Sequence, residues 1–259
     1  MNAKLIWQNM RDEAEIAGLV EPVLAGFYHA TILSHQSFEQ AISFHLASKL
    51  DSEAVPALQL FAVFEQCLAA EPDIAMAMLR DAEAHKERDP ACDQYSVPFL
   101  YFKGYQALQA YRFSHWLWLQ GRETLALYLQ NQISQIFGVD IHPGACVGIG
   151  IMIDHATGVV IGETVVVGND VSMLHGVTLG GSGCSQGDRH PKIGSGVLIS
   201  VGAKILGNIT VGEGAKVGAG SVVLEAVAAH TTVAGVPARV VGAPGVAAPA
   251  LDMNHQLGG

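Results

Sequence analysis

The stretch from Ile141 to Val177 reads IHPGACVGIGIMIDHATGVVIGETVVVGNDVSMLHGV, and every sixth residue is Ile or Val: Ile141, Val147, Ile153, Val159, Val165, Val171 and Val177. After a gap of sixteen residues the spacing resumes at Ile193 and runs through Ile199, Ile205, Val211, Val217 and Val223. A helix face recurs every ~3.6 residues and a strand face every ~2. A period of six therefore excludes a helix and suits a chain that turns a corner every six residues, with one aliphatic side chain pointing inward per face. Three faces make one coil of a triangular prism, whose parallel strands stack ~4.8 Å apart. Glycines beside the aliphatic positions (Gly148, Gly162, Gly194, Gly212, Gly218) tolerate the backbone of the corners. Thirteen hexads predict a little over four coils.

The rest of the 259-residue chain has another character. All eighteen aromatic residues lie in residues 1–138, whereas only five of the 29 glycines do. Such a switch marks two architectures: an α-helical domain over residues 1–138, a repeat domain over 139–243 and a tail over 244–259. In the first part, Leu108, Tyr111, His115 and Trp118, then Leu125, Leu129, Ile133 and Ile136, fall at helical spacing, one apolar stripe per helix, with Gly121 between the pair. Pro56, Pro72, Pro90 and Pro98 interrupt the earlier helical patterns, and Arg88 to Pro98 reads as a loop carrying Asp89.

Fourteen basic against twenty-four acidic residues give a formal charge of -10, with acids in excess in both halves. A polyanion would be repelled, so nucleic acid is not an expected partner. No apolar run approaches the ~18 residues that span a bilayer, and the N-terminus lacks the order of a secretory signal. Cys67, Cys92, Cys146 and Cys184 stand singly, as expected of reduced thiols in a cytoplasmic protein.

Between Val177 and Ile193 ten residues more than a hexad are inserted. The resulting loop, residues 178–192, is rich in glycine and then charged, and contains neither phosphate-loop signature. A rigid scaffold with one protruding charged loop is where a site is expected. His142, His155, His175 and His190 match no compact zinc-ligand spacing. Asp140 precedes His155 by fifteen residues, close to one coil, so the two should flank the same corner. A carboxylate bonded to one imidazole nitrogen leaves the other free to accept a proton, which is how a hydroxyl becomes a nucleophile.

The hexad pattern resembles the hexapeptide-repeat acyltransferases, which implies a left-handed parallel β-helix and a trimer. Phe27-Tyr-His-Ala-Thr31, Arg88-Asp-Pro-Ala91, Ala107-Leu-Gln-Ala-Tyr-Arg112, Val139-Asp-Ile-His-Pro143, Asp154-His-Ala-Thr-Gly158, Val177-Thr-Leu-Gly-Gly181, Gly187-Asp-Arg-His-Pro-Lys192 and Gly235-Val-Pro-Ala-Arg239 narrow the resemblance to the bacterial serine O-acetyltransferases. It implies an α+β chain in which helices precede the β-helix, and transfer of acetyl from acetyl-CoA to the L-serine hydroxyl in the first step of cysteine synthesis. It further implies His155 as general base with Asp140 orienting it, Arg189 on the serine carboxylate, Asp89 and Asp154 on the ammonium, and His190 assisting. Acetyl-CoA, a co-substrate and not a bound cofactor, would lie along the coil near Gly181 and Ala219, with Lys216 for its phosphates. L-Cysteine is the implied inhibitor at the serine site, and a dimer of trimers the implied assembly. The family's partner, O-acetylserine sulfhydrylase, is engaged through a terminal isoleucine. Leu257-Gly-Gly259 stands here instead, so the expected complex lacks its usual anchor.

Two other readings fit the same coil. One is an acyltransferase of this fold with homoserine or a sugar as acceptor. The other is a structural or zinc-binding trimeric β-helix, which leaves Asp140, His155, Arg189 and His190 without a role.

Overall fold

The computed structural model describes residues 2–183 and 186–257; Cys184 and the terminal Gly258 and Gly259 fall outside the described residues. Eight α-helices come first among the described residues: α1 (Ala3–Val20), α2 (Ala25–Tyr28), α3 (Phe38–Lys49), α4 (Ala57–Ala70), α5 (Asp73–Arg88), α6 (Ser96–Tyr101), α7 (Lys103–Leu119) and α8 (Glu123–Phe137). Local chemistry sets their ends. The Asn2 side chain accepts from Leu5 N and that of Ser37 from Gln40 N, each satisfying a first-turn donor. Gly138, at φ 67°, ends α8 in the left-handed conformation that glycine adopts without strain. Pro98 does not break a helix as its position suggested. It lies in the first turn of α6, where its missing N–H costs nothing, so the loop after α5 closes at Tyr95.

The single stripe expected for α7 is also corrected. From Gly104 to Ser114 the helix is buried on every side, because α5, α6 and α8 pack around it and the first coil closes the end. Its buried polar residues are paired: Arg112 donates to Asp81 on α5 at 2.7 and 3.1 Å and to Gly148 O at 2.7 Å, and Gln109 donates to the same carboxylate. Asp81 also accepts from Ile151 N at 2.9 Å, so one buried carboxylate ties two helices to the coil. On α8 the buried stripe is Ala126, Leu129, Ile133 and Phe137, with Ile136 turned outward.

Three parallel sheets follow. Sheet A holds β1 (Val139–Ile141), β4 (Val159–Ile161), β7 (Thr178–Gly180), β10 (Lys204–Leu206) and β13 (Val222–Val223). Sheet B holds β2 (Cys146–Val147), β5 (Val166–Val167), β8 (Lys192–Ile193) and β11 (Thr210–Val211). Sheet C holds β3 (Met152–Asp154), β6 (Ser172–Leu174), β9 (Leu198–Ile199), β12 (Lys216–Val217) and β14 (Thr232–Gly235), closed by the antiparallel β15 (Ala238–Gly242). The chain visits the sheets in the order A, B, C, making a parallel β-solenoid. A short α9 (Pro249–Asp252) then lays the tail on sheet C.

Twelve of the thirteen hexad residues are buried, Val147 being half-buried at the first coil. Each face points two side chains inward, not one: Val159 with Ile161, Val165 with Val167, Ile151 with Ile153. That doubling hid a change of phase. Val139 pairs with Val159, so the first coil takes twenty residues; Val160 pairs with Thr178, eighteen later; Thr178 pairs with Lys204, twenty-six later; Lys204 pairs with Val222, again eighteen. The charged loop thus adds eight residues, not ten. The other two enter at Asp154 to Gly158, where the Ile/Val series slips from one inward position to the other. Asp154-His-Ala-Thr-Gly158 is the longer corner that absorbs them, with His155 and Ala156 at φ 55° and 59°.

Candidate active site

The corner from sheet C to sheet A is a ledge. Gly158 N bonds to Gly138 O, Gly176 N to Thr157 O, Gly202 N to His175 O and Gly220 N to Val201 O, so successive coils stack there in step. The two added residues push His155 outward on this ledge, and its side chain is 75% exposed. Its Nε2 lies 3.8 Å from Asp154 Oδ2, and its ring meets that of His175, one coil on, edge to face at 5.8 Å. Ala219 stands two coils beyond His175 on the same ledge, exposed.

Beside the ledge a cleft of about 370 Å³ opens between the helical half and the coil, lined by Asp89, Tyr101, Phe102, Gly104, Asp154 and His155. Two half-buried carboxylates and an imidazole thus converge from α5's end and β3. Their meeting depends on Arg88, which precedes Asp89: it is buried and donates to Gly150 O at 2.9 Å, Asp170 Oδ1 at 2.9 Å and Ser172 Oγ at 3.1 Å, pinning the last turn of α5 to the coil. Gly104 lets α7 approach, since a Cβ there would stand 2.0 Å from Ile153 O. Lys103 donates to Thr157 Oγ1 across the cleft. A second cavity of about 360 Å³, lined by Tyr111, His115 and Trp116 among others, contains none of the expected site residues.

Asp140 flanks the same corner as His155, as its spacing implied, but the two do not bond in this structure. Asp140 Oδ1 accepts from Gln130 Nε2 of α8 at 2.7 Å, and Asp154 is the carboxylate beside His155.

Arg189 and His190 lie elsewhere, at the corner from sheet A to sheet B. Arg189 Nη2 donates to Glu163 Oε2 at 2.6 Å and Nη1 to Gly187 O at 3.1 Å. The hydrogen bond from Arg189, with its charge, holds the Glu163 carboxyl below the usual carboxylate range. His190 is buried; its Nδ1 accepts from Thr164 N at 3.2 Å and lies 2.8 Å from Thr164 Oγ1. Burial, and then the charge of Arg189, lower its pKa. The ring lies so close over Gly162 that a Cβ there would stand 2.3 Å from it. Lys192 closes the loop with bonds to Thr164 O, His190 O and Asp188 Oδ1 at 2.8, 2.8 and 2.5 Å. Gly181, exposed, belongs to this corner, within reach of the His190 ring.

Asp89, Asp154, His155 and Ala219 are therefore brought together on one edge of sheet A, and Gly181, Arg189 and His190 on the other, a full prism face away. Lys216 joins neither. It sits on sheet C, buried under the tail, where it donates to Gln256 O, and burial lowers its pKa. His255 of the tail lies beside it, its Nδ1 2.9 Å from Ser200 Oγ. Arg88, Lys103, Gly104, Glu163 and Thr164 escaped sequence reasoning, because only the packing of α5 and α7 on the coil, and of one corner on the next, gives them a place. Among the described residues no cluster of three or more His, Cys, Asp or Glu is set to hold a metal ion.

Residues 6–110 match the family described as "Serine acetyltransferase, N-terminal", and residues 190–225 match "Bacterial transferase hexapeptide (six repeats)". A curated serine acetyltransferase of Escherichia coli K12 is 56% identical over 256 residues, covering 99% of this chain and 94% of its own. The crystal structure of serine acetyltransferase from Vibrio cholerae superposes with a TM-score of 0.99 at 56% identity, covering 100% of both chains. A serine acetyltransferase in complex with cysteine superposes with a TM-score of 0.97 at 52% identity, covering 98% of this chain and 99% of that one. The likeness runs through helices, coil and tail alike, and on it the chain belongs to the serine acetyltransferase family.

Proposed function

We propose that this serine acetyltransferase works through sites divided between copies of itself, each site taking the His155 edge of one chain and the Arg189 edge of the next. The chain transfers acetyl from acetyl-CoA to the hydroxyl of L-serine, yielding O-acetyl-L-serine and CoA. The observation that carries the divided site is the placement of the two half-sites on opposite edges of sheet A. A single chain offers carboxylates and a base on one edge, a guanidinium and a second imidazole on the other. An amino acid needs all of them at once. Three copies packed head to tail around a threefold axis would bring unlike edges together at every interface. Sheet A has an outward face suited to such packing, for Val160 on β4 is exposed there, whereas the outward residues of sheet C are covered by the chain's own helices and tail.

In this reading Asp89 and Asp154 hold the serine ammonium, and Arg189 of the neighbouring copy takes the carboxylate in its planar fork, with Glu163 fixing that fork from behind. His190, kept neutral, steadies the same carboxylate through its free N–H. His155 removes the hydroxyl proton, and Asp154 beside it, with Asp140 across the corner, favours the imidazolium that forms. Acetyl-CoA comes along the ledge marked by Ala219, with Gly181 of the neighbouring copy closing the groove. Exposed Ile16, Leu19 and Val20 at the end of α1, with Val23 in the turn after it, provide an apolar face through which two trimers would pair. No helix among the described residues is long and apolar enough to cross a membrane, and Cys67, Cys92 and Cys146 are free thiols, which supports a cytoplasmic setting.

L-Cysteine differs from L-serine by sulfur in place of oxygen, so the groups that grip carboxylate and ammonium accept it equally. Thiol release from acetyl-CoA, measured with and without L-serine and at rising L-cysteine, tests the reading. Serine-dependent release, with cysteine raising the apparent KM for serine and leaving kcat unchanged, is expected. Cysteine inhibition that saturating serine leaves intact would place cysteine elsewhere, and release dependent on homoserine or an amino sugar would replace the acceptor.

A further inference from the structure

We infer that His175 is a second catalytic histidine, one that donates an N–H hydrogen bond to the thioester oxygen of acetyl-CoA as negative charge gathers on it. The inference rests on acetyl-CoA lying along the ledge beside His155. Three observations place His175 there. Asp154 pairs with Leu174, which sets His155 and His175 at the same register on successive coils. Their rings meet edge to face with centroids 5.8 Å apart. Both side chains are exposed on the ledge, and Ala219 continues the column beyond His175, so a donor extended from Ala219 toward His155 must pass His175.

The distances of the reaction agree. Serine Oγ must lie ~3 Å from the accepting nitrogen of His155, and the acetyl carbon ~3–3.5 Å from that oxygen. The carbonyl oxygen, one bond further, then lies several ångströms from His155, and the His175 ring, one coil on with its centroid 5.8 Å from that of His155, carries an N–H on the side from which the thioester arrives. No side-chain hydrogen bond occupies that ring among the described residues, so an N–H is available. Of the other polar side chains of the cleft, Asp89 and Asp154 are carboxylates that would repel the developing charge, Tyr101 is bonded to Tyr28 at 2.8 Å and Lys103 to Thr157 Oγ1, and the ledge N–H groups of Gly158, Gly176, Gly202 and Gly220 are spent on coil-to-coil bonds.

The step balances without further reactants. The serine O–H bond breaks and its proton passes to His155 while the Oγ–C bond forms and the carbonyl π pair moves onto oxygen, where His175 meets it. On collapse that pair re-forms the carbonyl, the C–S bond breaks, and the CoA sulfur leaves with the bonding pair and takes the proton from His155. His175 keeps its proton throughout. A donor of this kind is worth ~10²–10³ in kcat, and an amide N–H can replace it.

The test compares the intact enzyme with His175→Leu and His175→Gln, measuring kcat and both KM values by thiol release. Expected are a loss of ~10²-fold in kcat for His175→Leu, KM values for serine and acetyl-CoA within about threefold of the intact enzyme, and recovery of most of the lost kcat in His175→Gln. A role in packing alone would not distinguish leucine from glutamine in this direction, since leucine fills the exposed ledge at least as well. His175→Leu with unchanged kcat, a loss confined to KM, or His175→Gln no faster than His175→Leu would each overturn the oxyanion role. Failure of the intact enzyme to release thiol on adding serine would instead overturn the acceptor reading on which it rests.

Discussion

At the scale of single residues, His155 owes its place to two extra residues in one corner. The positive φ at His155 and Ala156 carries the imidazole off the prism and into contact with the cleft, where Asp89 and Asp154 wait. His155→Asn keeps a polar side chain of similar reach but accepts no proton. Turnover is expected to fall ~10²- to 10⁴-fold, while acetyl-CoA binding, followed by calorimetry, stays within about twofold because the remainder of the ledge is untouched. A variant as fast as the parent, with chemistry rate-limiting, would remove His155 from the reaction. Glu163 gives a second case. Its carboxylate engages Arg189 at 2.6 Å and is held ionised by that contact. Glu163→Gln should raise the KM for serine several-fold with kcat little changed, because a neutral amide still fills the space but orients the guanidinium less firmly.

Among elements, α7 and α5 decide the width of the cleft. Gly104 brings the first turn of α7 onto β3 so closely that any Cβ meets the Ile153 carbonyl, a backbone atom that cannot swing aside. Gly104→Ala is therefore expected to cost ~1–3 kcal/mol by overpacking and to raise the KM for serine, read by denaturant unfolding and by steady-state rates. A variant with parental stability would show that the helix has room to retreat. The same helical half carries two buried histidines. Burial pushes the pKa of His45 and of His85 down to about 3. Free imidazole takes its proton near ~6.5, so between these values the unfolded chain binds more protons than the folded one. The stability is complete above about pH 6.5 and is lost as pH falls toward 3, at a limiting slope of ~1.4 kcal/mol per pH unit for each histidine. Urea midpoints at pH 7, 5 and 4 should decline accordingly, and His85→Leu should reduce the slope. Equal midpoints across that range would contradict the burial.

For the whole molecule, the separation of the half-sites across sheet A makes an assembly prediction. His155→Asn and Arg189→Ala chains, each nearly inactive alone, should regain activity when unfolded and reassembled together, since some interfaces of a mixed trimer then receive an intact edge from each parent. Mixing the folded variants without subunit exchange should restore nothing. Mixed trimers, verified by two different tags, that stay as inactive as either parent would place both half-sites in service of one chain.

The hexad series by itself determined the prism. A repeat of local contacts needs no distant partner to be recognised, and the jump of aromatic residues and glycines near residue 138 marked where helices give way to coil. The charged loop stood out likewise, because it interrupts that repeat, and His155 because Asp140 precedes it by close to one coil. Tertiary structure alone decided the rest. Two aliphatic positions per face are interchangeable to the eye, so the register slip at Asp154 to Gly158 became visible only when strands paired. Arg88, Lys103 and Gly104 acquire meaning only where helices dock on coils distant in sequence, for a packing contact leaves no periodic trace. Asp140 bonds Gln130 and Lys216 lies beneath the tail for the same reason: spacing fixes which corner a residue occupies, and its neighbours in space fix what its side chain meets.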